Sequence, residues 1–203
     1  MSLPKRFEIP LALLGFVCGA AFLLKMCYLS LGFNSIFGIT FLSIVYLYAR
    51  RRFGVTIPAA LLILVFIALQ VDVGGNYFRM YGRRFGPMQY DEFSHLTVQI
   101  LVTPIFVWLV DQTLYKSHYR LSPSLTAFFA ATTVFSLSAF YEIIELWDEV
   151  YFNGHRIWGP HDTANDLQWD LCGIVAGTLL ATVLSALAFR RNREIATAVS
   201  GLK

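Results

Sequence analysis

Six stretches of this chain carry apolar residues in runs close to the thickness of a lipid bilayer, and that decides the solvent in which the chain folds. A membrane-crossing helix needs about 20 mostly apolar residues, rising about 1.5 Å each. The stretches are 9–29, 33–49, 57–74, 91–110, 124–147 and 166–189. Composition agrees with them. Hydrophobic residues make up 57% of the 203 and charged residues only 14%, where soluble domains carry about 25% charged. The sequence predicts an all-α, polytopic membrane protein: a single integral-membrane domain over 1–203, a bundle of about six transmembrane helices. The first run passes through Gly19-Ala20-Ala21 without stopping, so it reads as a span and not as a cleaved leader.

The basic residues give the orientation. With six spans, Lys5, Arg6, Arg50, Arg51, Arg52, Lys116, Arg120, Arg190, Arg191, Arg193 and Lys203 fall on one side. Arg79, Arg83, Arg84 and Arg156 fall on the other, and Lys25 lies inside a span. Positive residues collect on the cytoplasmic side, so both termini are expected in the cytoplasm. A formal net charge of +3 is too mild to indicate nucleic acid as a partner. Cys18, Cys27 and Cys172 lie in apolar runs without a C-x-x-C pair, and read as buried small hydrophobes.

The acids are distributed differently. Asp72, Asp91, Glu92, Glu142, Glu145, Asp148, Glu149, Asp162, Asp166 and Asp170 all fall near the outer ends of spans three to six, together with His95, His155 and His161. Acidic residues contribute little to topology, so this concentration needs its own cause. Length supplies a depth. The clean apolar part of the fourth span, Leu96 to Val110, covers roughly 22 Å against a hydrocarbon core of about 30 Å. Asp91 and His95 are therefore drawn toward the membrane, as is Asp72 at the end of the short third span. Glu142 and Asp170 fall near the same boundary.

Spacing places these groups on shared faces. Asp91 and His95 are four apart, Asp166 and Asp170 are four apart, and Glu142, Glu145 and Glu149 follow at i, i+3 and i+7. Asp166 and Asp170 align with Gly173-x-x-x-Gly177, a small-residue face that lets another helix approach closely. The acidic stripe thus points into the bundle. Carboxylates crowded in a low-dielectric layer must be protonated, paired or bridged by a cation. Asp91, His95, Glu142, Glu145, Asp166 and Asp170 form the expected ligand set for a divalent metal ion, since carboxylate and His sets on facing helices build such sites. Arg79, Arg83, Arg84 and Arg156 are candidates to hold a phosphate or headgroup. Glu92, Asp148 and Glu149 read as caps or solvated interface residues, and Asp162 or Asp166 could serve as a cap. His118 reads as solvated, and Trp147, Trp158 and Trp169 as an interfacial aromatic belt.

At these residues the chain resembles a known group. Tyr90-Asp91-x-x-x-His95, Phe140-Tyr141-Glu142-Ile143-Ile144-Glu145 and Asp166-x-Gln168-Trp169-Asp170 look like the motifs of the YjdF family of bacterial inner-membrane proteins, in order and in spacing. A looser similarity reaches the VanZ-like proteins, whose pattern D-x-x-x-H, E-x-x-Q, D-x-x-x-N-x-x-G falls on Asp91 and His95, Glu142 and Glu145, and Asp166, Asp170 and Gly173. Two amide positions of that pattern are acids here, which makes this site more anionic.

Three functions follow. The leading one is a metal-dependent membrane enzyme open to the periplasm, acting on a lipid or lipid-linked headgroup, with membrane lipid as its partner. The second is an accessory subunit of a larger membrane complex, with a membrane-protein partner or a second copy of itself. The third is transport of protons or a metal ion, against which the inner half of the bundle offers no matching polar path. Ser94 lies near the site, but a serine beside a histidine is too common to name as a nucleophile. No H-E-x-x-H, Ser-His-Asp or phosphate-cradling glycine motif is present.

Overall fold

The computed structural model describes residues 44, 46–48, 50–54, 57–155 and 157–200. The first expected span, most of the second, Lys25, Cys18, Cys27 and Arg156 lie outside the described residues, as does the side chain of Asp72. What is described is mostly helical. Helix α1 spans Ala59–Tyr77, followed by strands β1 (Arg84–Phe85) and β2 (Met88–Gln89), then α2 (Tyr90–Lys116), α3 (Pro123–Phe152) and α4 (Asp162–Ser200). Three segments are long and apolar enough to cross a membrane: Tyr90–Lys116, Pro123–Phe152 and Asp162–Ser185. Helix α1 carries a shorter apolar stretch, Ala60–Asn76.

Each helix outruns its apolar stretch. Helix α2 continues past Val110 to Lys116, α3 past Trp147 to Phe152, and α4 starts at Asp162 and passes Arg190 without a break. Hydropathy stops where polar residues start, but the i to i−4 ladder stops only where a cap or a turn ends it. Helix α2 starts at a capping box, in which Gln89 N–H donates to Glu92 Oε2 at 2.9 Å. Helix α3 starts at Ser122, whose Oγ accepts from Leu125 N–H, and has Pro123 in its first turn. It ends at Asn153 in the left-handed conformation. Asp162, the first residue of α4, accepts through its Oδ2 from Trp158 N–H at 2.8 Å, which ties down the preceding loop and does not cap a helix N–H.

The two short strands add a feature absent from the all-α expectation. They pair antiparallel, Arg84 with Gln89 and Phe85 with Met88, around a two-residue Gly86-Pro87 loop. Gly86 sits at φ 69, a conformation that favours glycine at the first loop position. The ribbon is fastened to both neighbouring helices. Tyr90 N–H donates to Arg83 O, Met80 N–H to Gly75 O, and the Tyr90 hydroxyl to Val71 O. The rings of Tyr81, Phe85, Tyr90 and Phe93 pack against one another. Gly75 lies so close to the Tyr90 and Tyr81 rings that no Cβ fits there.

The central contact is α2 against α4, where Gly173 and Gly177 meet the α2 backbone. A Cβ on Gly173 would stand 2.5 Å from Leu96 O and 2.7 Å from Gln99 Cβ, and one on Gly177 would stand 2.9 Å from Ile100 O and Thr103 Cβ. Pro104 lacks the N–H that would otherwise engage Ile100 O, so this carbonyl is turned toward the α4 glycine. Toward the Lys116 end of α2 lies a buried apolar cluster of Ile105, Phe106, Ala130, Val134 and Ile174. Because Asp170, Gly173 and Ile174 face inward, Cys172 is turned outward. It is exposed, which corrects its expected burial.

Replacing Gly173 by Val drives two methyl groups into the α2 backbone. It should lower stability by about 1–3 kcal/mol, the usual range for overpacking. Gly74→Ala, on α1 with nothing within 4 Å of the added carbon, should be neutral or stabilising by up to about 1 kcal/mol. Thermal unfolding of both variants in detergent checks the contrast.

Candidate metal centre

Four carboxylates and one imidazole converge where α2, α3 and α4 meet. Helix α2 supplies Asp91 and His95, one turn apart. Helix α3 supplies Glu142, and α4 supplies Asp166 and Asp170, again one turn apart. Two triads can each bring one ligand atom per residue to within 4.8 Å of the others: Asp91, His95 and Asp166, and His95, Glu142 and Asp170. His95 belongs to both, so the imidazole is the centre of the cluster.

The two ring nitrogens have different partners. Nδ1 lies 3.0 Å from Asp170 Oδ1. A carboxylate oxygen accepts, so Nδ1 carries the proton. In the neutral ring this leaves the Nε2 lone pair on the other side. Nε2 faces Asp91 Oδ1 at 3.7 Å and Asp166 Oδ1 at 3.9 Å, both beyond hydrogen-bond length. A lone pair aimed at two carboxylates is repulsive unless a positive charge stands between them or the ring is itself a cation.

Burial raises the cost of leaving this arrangement uncompensated. Glu142, Asp166 and Asp170 are 3%, 2% and 2% exposed. Asp170 is well supplied, because its Oδ1 also accepts from Gln99 Nε2 at 3.1 Å. By contrast, Glu142 Oε1 and Asp166 Oδ1 are buried without a hydrogen-bond partner. Buried polar atoms are ordinarily satisfied, and each exception calls for an explanation such as an ion. A His nitrogen with two carboxylates is also a donor set that divalent metals accept. Metal–ligand bonds of about 2.0–2.2 Å place neighbouring donors about 3.0–3.5 Å apart, shorter than the 3.7 and 3.9 Å that separate His95 Nε2 from the two carboxylate oxygens here.

Of the six expected ligands, Asp91, His95, Glu142, Asp166 and Asp170 come together. Glu145 is half-buried one turn further along α3 and is not part of either triad. It stands close enough to act electrostatically on Glu142 and Asp166, at the edge of the cluster. Arg79, Arg83 and Arg84 are exposed on the segment joining α1 to α2. His118, His155 and His161 are exposed. Trp147 and Trp158 are exposed. Glu92 acts as a helix cap and also accepts from Asn165 Nδ2 at 3.3 Å. Ser94 is buried, with its Oγ 3.2 Å from the Tyr81 hydroxyl.

Two residues of the site are missing from the sequence-based set. Gln99 donates to both Asp170 and Ser138, the latter at 2.6 Å. It therefore ties all three helices together beneath the histidine. Both residues continue a visible spacing: Gln99 follows His95 by four, and Ser138 precedes Glu142 by four. Neither carries a charge, so a search for intramembrane ionisable groups passes over them.

Glu142→Met replaces a buried carboxyl, one oxygen of which has no hydrogen-bond partner, by an apolar side chain of similar length. In chelator-treated protein this should raise stability by about 1–3 kcal/mol, the cost of an unsatisfied buried group. A higher melting temperature than the parent chain is the expected result, and a lower one would mean that the carboxylate is already compensated by the protein.

A model of one protein family matches residues 10–191, and its description is "Predicted membrane protein (DUF2238)". No curated protein and no solved structure matches the chain. The match covers most of the chain, takes in α1 to α3 and the greater part of α4, and agrees with three helices able to cross a membrane. The chain belongs to the family described as "Predicted membrane protein (DUF2238)".

Proposed function

We propose that this is a bacterial inner-membrane, metal-dependent enzyme with both termini in the cytoplasm and its site near the periplasmic face. The observation that carries this reading is the pair of buried, unpartnered oxygens, Glu142 Oε1 and Asp166 Oδ1, beside a His95 Nε2 that faces two carboxylates. In this reading Asp91, His95 Nε2 and Asp166 hold a divalent ion. Asp170 orients the imidazole through Nδ1, as carboxylates behind metal-bound histidines do. Gln99 in turn fixes Asp170. Three protein ligands leave positions open, the pattern of catalytic sites and not of closed structural ones. The ion, when bound, supplies a Lewis acid that polarises a phosphoryl or acyl oxygen. Glu142 stands on the opposite helix, close enough to the cluster to take or return a proton at its free Oε1.

The substrate class follows from depth. Helix α2 is 27 residues long, or about 40 Å at 1.5 Å per residue, which matches a bilayer with its headgroup layers. Asp91 and His95 lie in the first turns of that helix, so the groups that reach them belong to a lipid or a lipid-linked headgroup. The motif resemblance to the YjdF family points to the same residues. Among the described residues, transport is disfavoured by what lies beyond Gln99 and Thr103. There the interior is the apolar cluster of Ile105, Phe106, Ala130, Val134 and Ile174, and Asp111 is exposed at the far end of α2.

Purification in mild detergent followed by inductively coupled plasma mass spectrometry tests the site. Near-stoichiometric divalent metal is expected, lost in Asp91→Asn and in Asp166→Asn. Asp170→Asn should weaken binding by about 10–100-fold without abolishing it, the usual effect of removing a group behind the ligands. If no metal is present and none binds on adding back manganese, zinc or magnesium, the proposal fails. A bound metal whose coordination is closed by protein ligands alone would favour a structural role in a larger membrane complex.

A further inference from the structure

The segment joining α1 to α2, residues 78–89, contains Arg79, Arg83 and Arg84 and no acidic residue. All three arginines are exposed, and among the described residues none of them is in an ion pair. An arginine-rich loop of this kind could simply be solvated. Three further observations point to a ligand.

The first is rigidity. The segment is held by the β1–β2 ribbon, by the Tyr90–Arg83, Met80–Gly75 and Arg83–Met80 backbone bonds, and by the four-ring cluster described above. Arg79 is held at φ 52, a conformation uncommon for a residue with a side chain. The backbone that carries the guanidinium groups is thus ordered before anything binds, which lowers the entropic cost of binding. The second is depth. The α2 membrane span begins at Tyr90, one residue after β2 ends, so the ribbon stands at the level of the lipid headgroups. The third is amphipathicity. Phe78 is 67% exposed and Phe85 46% exposed, so large apolar rings stand beside the arginines on the same short segment. Aromatic residues prefer the membrane interface, where one end is apolar and the other wet. Guanidinium groups meet phosphate oxygens through two parallel hydrogen bonds.

We infer that residues 78–89 form a preorganised docking platform for the phosphate of an anionic membrane phospholipid, bound by Arg79, Arg83 and Arg84 with Phe78 and Phe85 set into the lipid beside them. The platform uses residues other than those of the metal centre, so either can fail without the other. It also gives the proposed enzyme a means of holding a phosphate-bearing lipid at the entrance to α2, since Arg83 O and Tyr90 N–H join the platform directly to the helix that carries Asp91.

The test is electron spin resonance on the full chain reconstituted in phosphatidylcholine nanodiscs. It uses trace spin-labelled phosphatidylglycerol or spin-labelled phosphatidylcholine and compares the fraction of each that the protein immobilises. The parent chain should immobilise the anionic lipid preferentially. Each of Arg79→Gln, Arg83→Gln and Arg84→Gln should reduce that preference, by up to about fivefold for a single surface arginine, and the triple variant should abolish it. Unchanged melting temperature in pure phosphatidylcholine shows that the variants are folded. Arg50→Gln, Arg51→Gln and Arg52→Gln together, which alter three exposed arginines in another part of the chain, should leave the effect of the platform in place. The inference is overturned if the triple platform variant retains full selectivity. It is equally overturned if the Arg50–Arg52 variant removes as much, or if millimolar inorganic phosphate displaces the lipid and so identifies a free anion as the ligand.

Discussion

Asp170 Oδ1 is the atom on which the arrangement of this bundle depends. It accepts from His95 Nδ1 and from Gln99 Nε2, two donors one helical turn apart on α2. In a medium where every buried polar group needs a partner, one carboxylate oxygen thereby fixes the rotation of α4 about α2 and the direction of the imidazole. Gly173 and Gly177, one and two turns further along α4, make this possible. With any side chain at Gly173 the two backbones would stand further apart, and the Asp170–His95 hydrogen bond would have to lengthen with them. Packing and site chemistry are therefore one constraint, enforced from α4 by residues spaced three to four apart.

The interior is divided into two zones. One holds Asp91, His95, Glu142, Asp166, Asp170, Gln99 and Ser138. The other holds Ile105, Phe106, Ala130, Val134 and Ile174, with Thr103 at the boundary donating its hydroxyl back to Gln99 O at 2.7 Å. The apolar zone supplies dispersion contacts that hold the helices together and leaves the polar zone free to keep unsatisfied oxygens. Without an ion, the unpartnered oxygens of Glu142 and Asp166 cost folding stability, and intramembrane ionisable groups of this kind commonly serve a purpose other than folding.

Much of this was legible in the sequence because helical period and hydrophobic length are strong signals. Asp91 with His95, and Asp166 and Asp170 with Gly173 and Gly177, are both plain i, i+4 patterns, and the structure brings those two faces together. Less was legible where a residue's depth or neighbours decide its role. Glu145 shares a face with Glu142 yet stands outside the triads. Cys172 lies in an apolar run yet faces outward. Gln99 and Ser138 carry no charge to single them out. The ribbon at Arg84–Gln89 has strands of two residues, too short for any period to register, and its form rests on a glycine turn and on ring packing across the chain. Helix ends were set too early, since apolarity fades several residues before hydrogen bonding does.

The most extensive helix contact among the described residues joins α2 to α4, with α3 made in between. His95 and Asp170 are 75 residues apart in the chain. At about 5–20 residues per second, roughly 4 to 15 s of synthesis separate them. During that interval α2 has been made with its aspartate, histidine and glutamine, and their α4 partners do not yet exist. Insertion of this protein therefore passes through a state in which the polar side chains of an otherwise apolar helix must be sheltered by something other than their final neighbours, whether the insertion machinery, water at the interface or a temporary contact with α3. The order in which the helices are made, and not only the packing they reach, sets a demand on the cell that produces this protein.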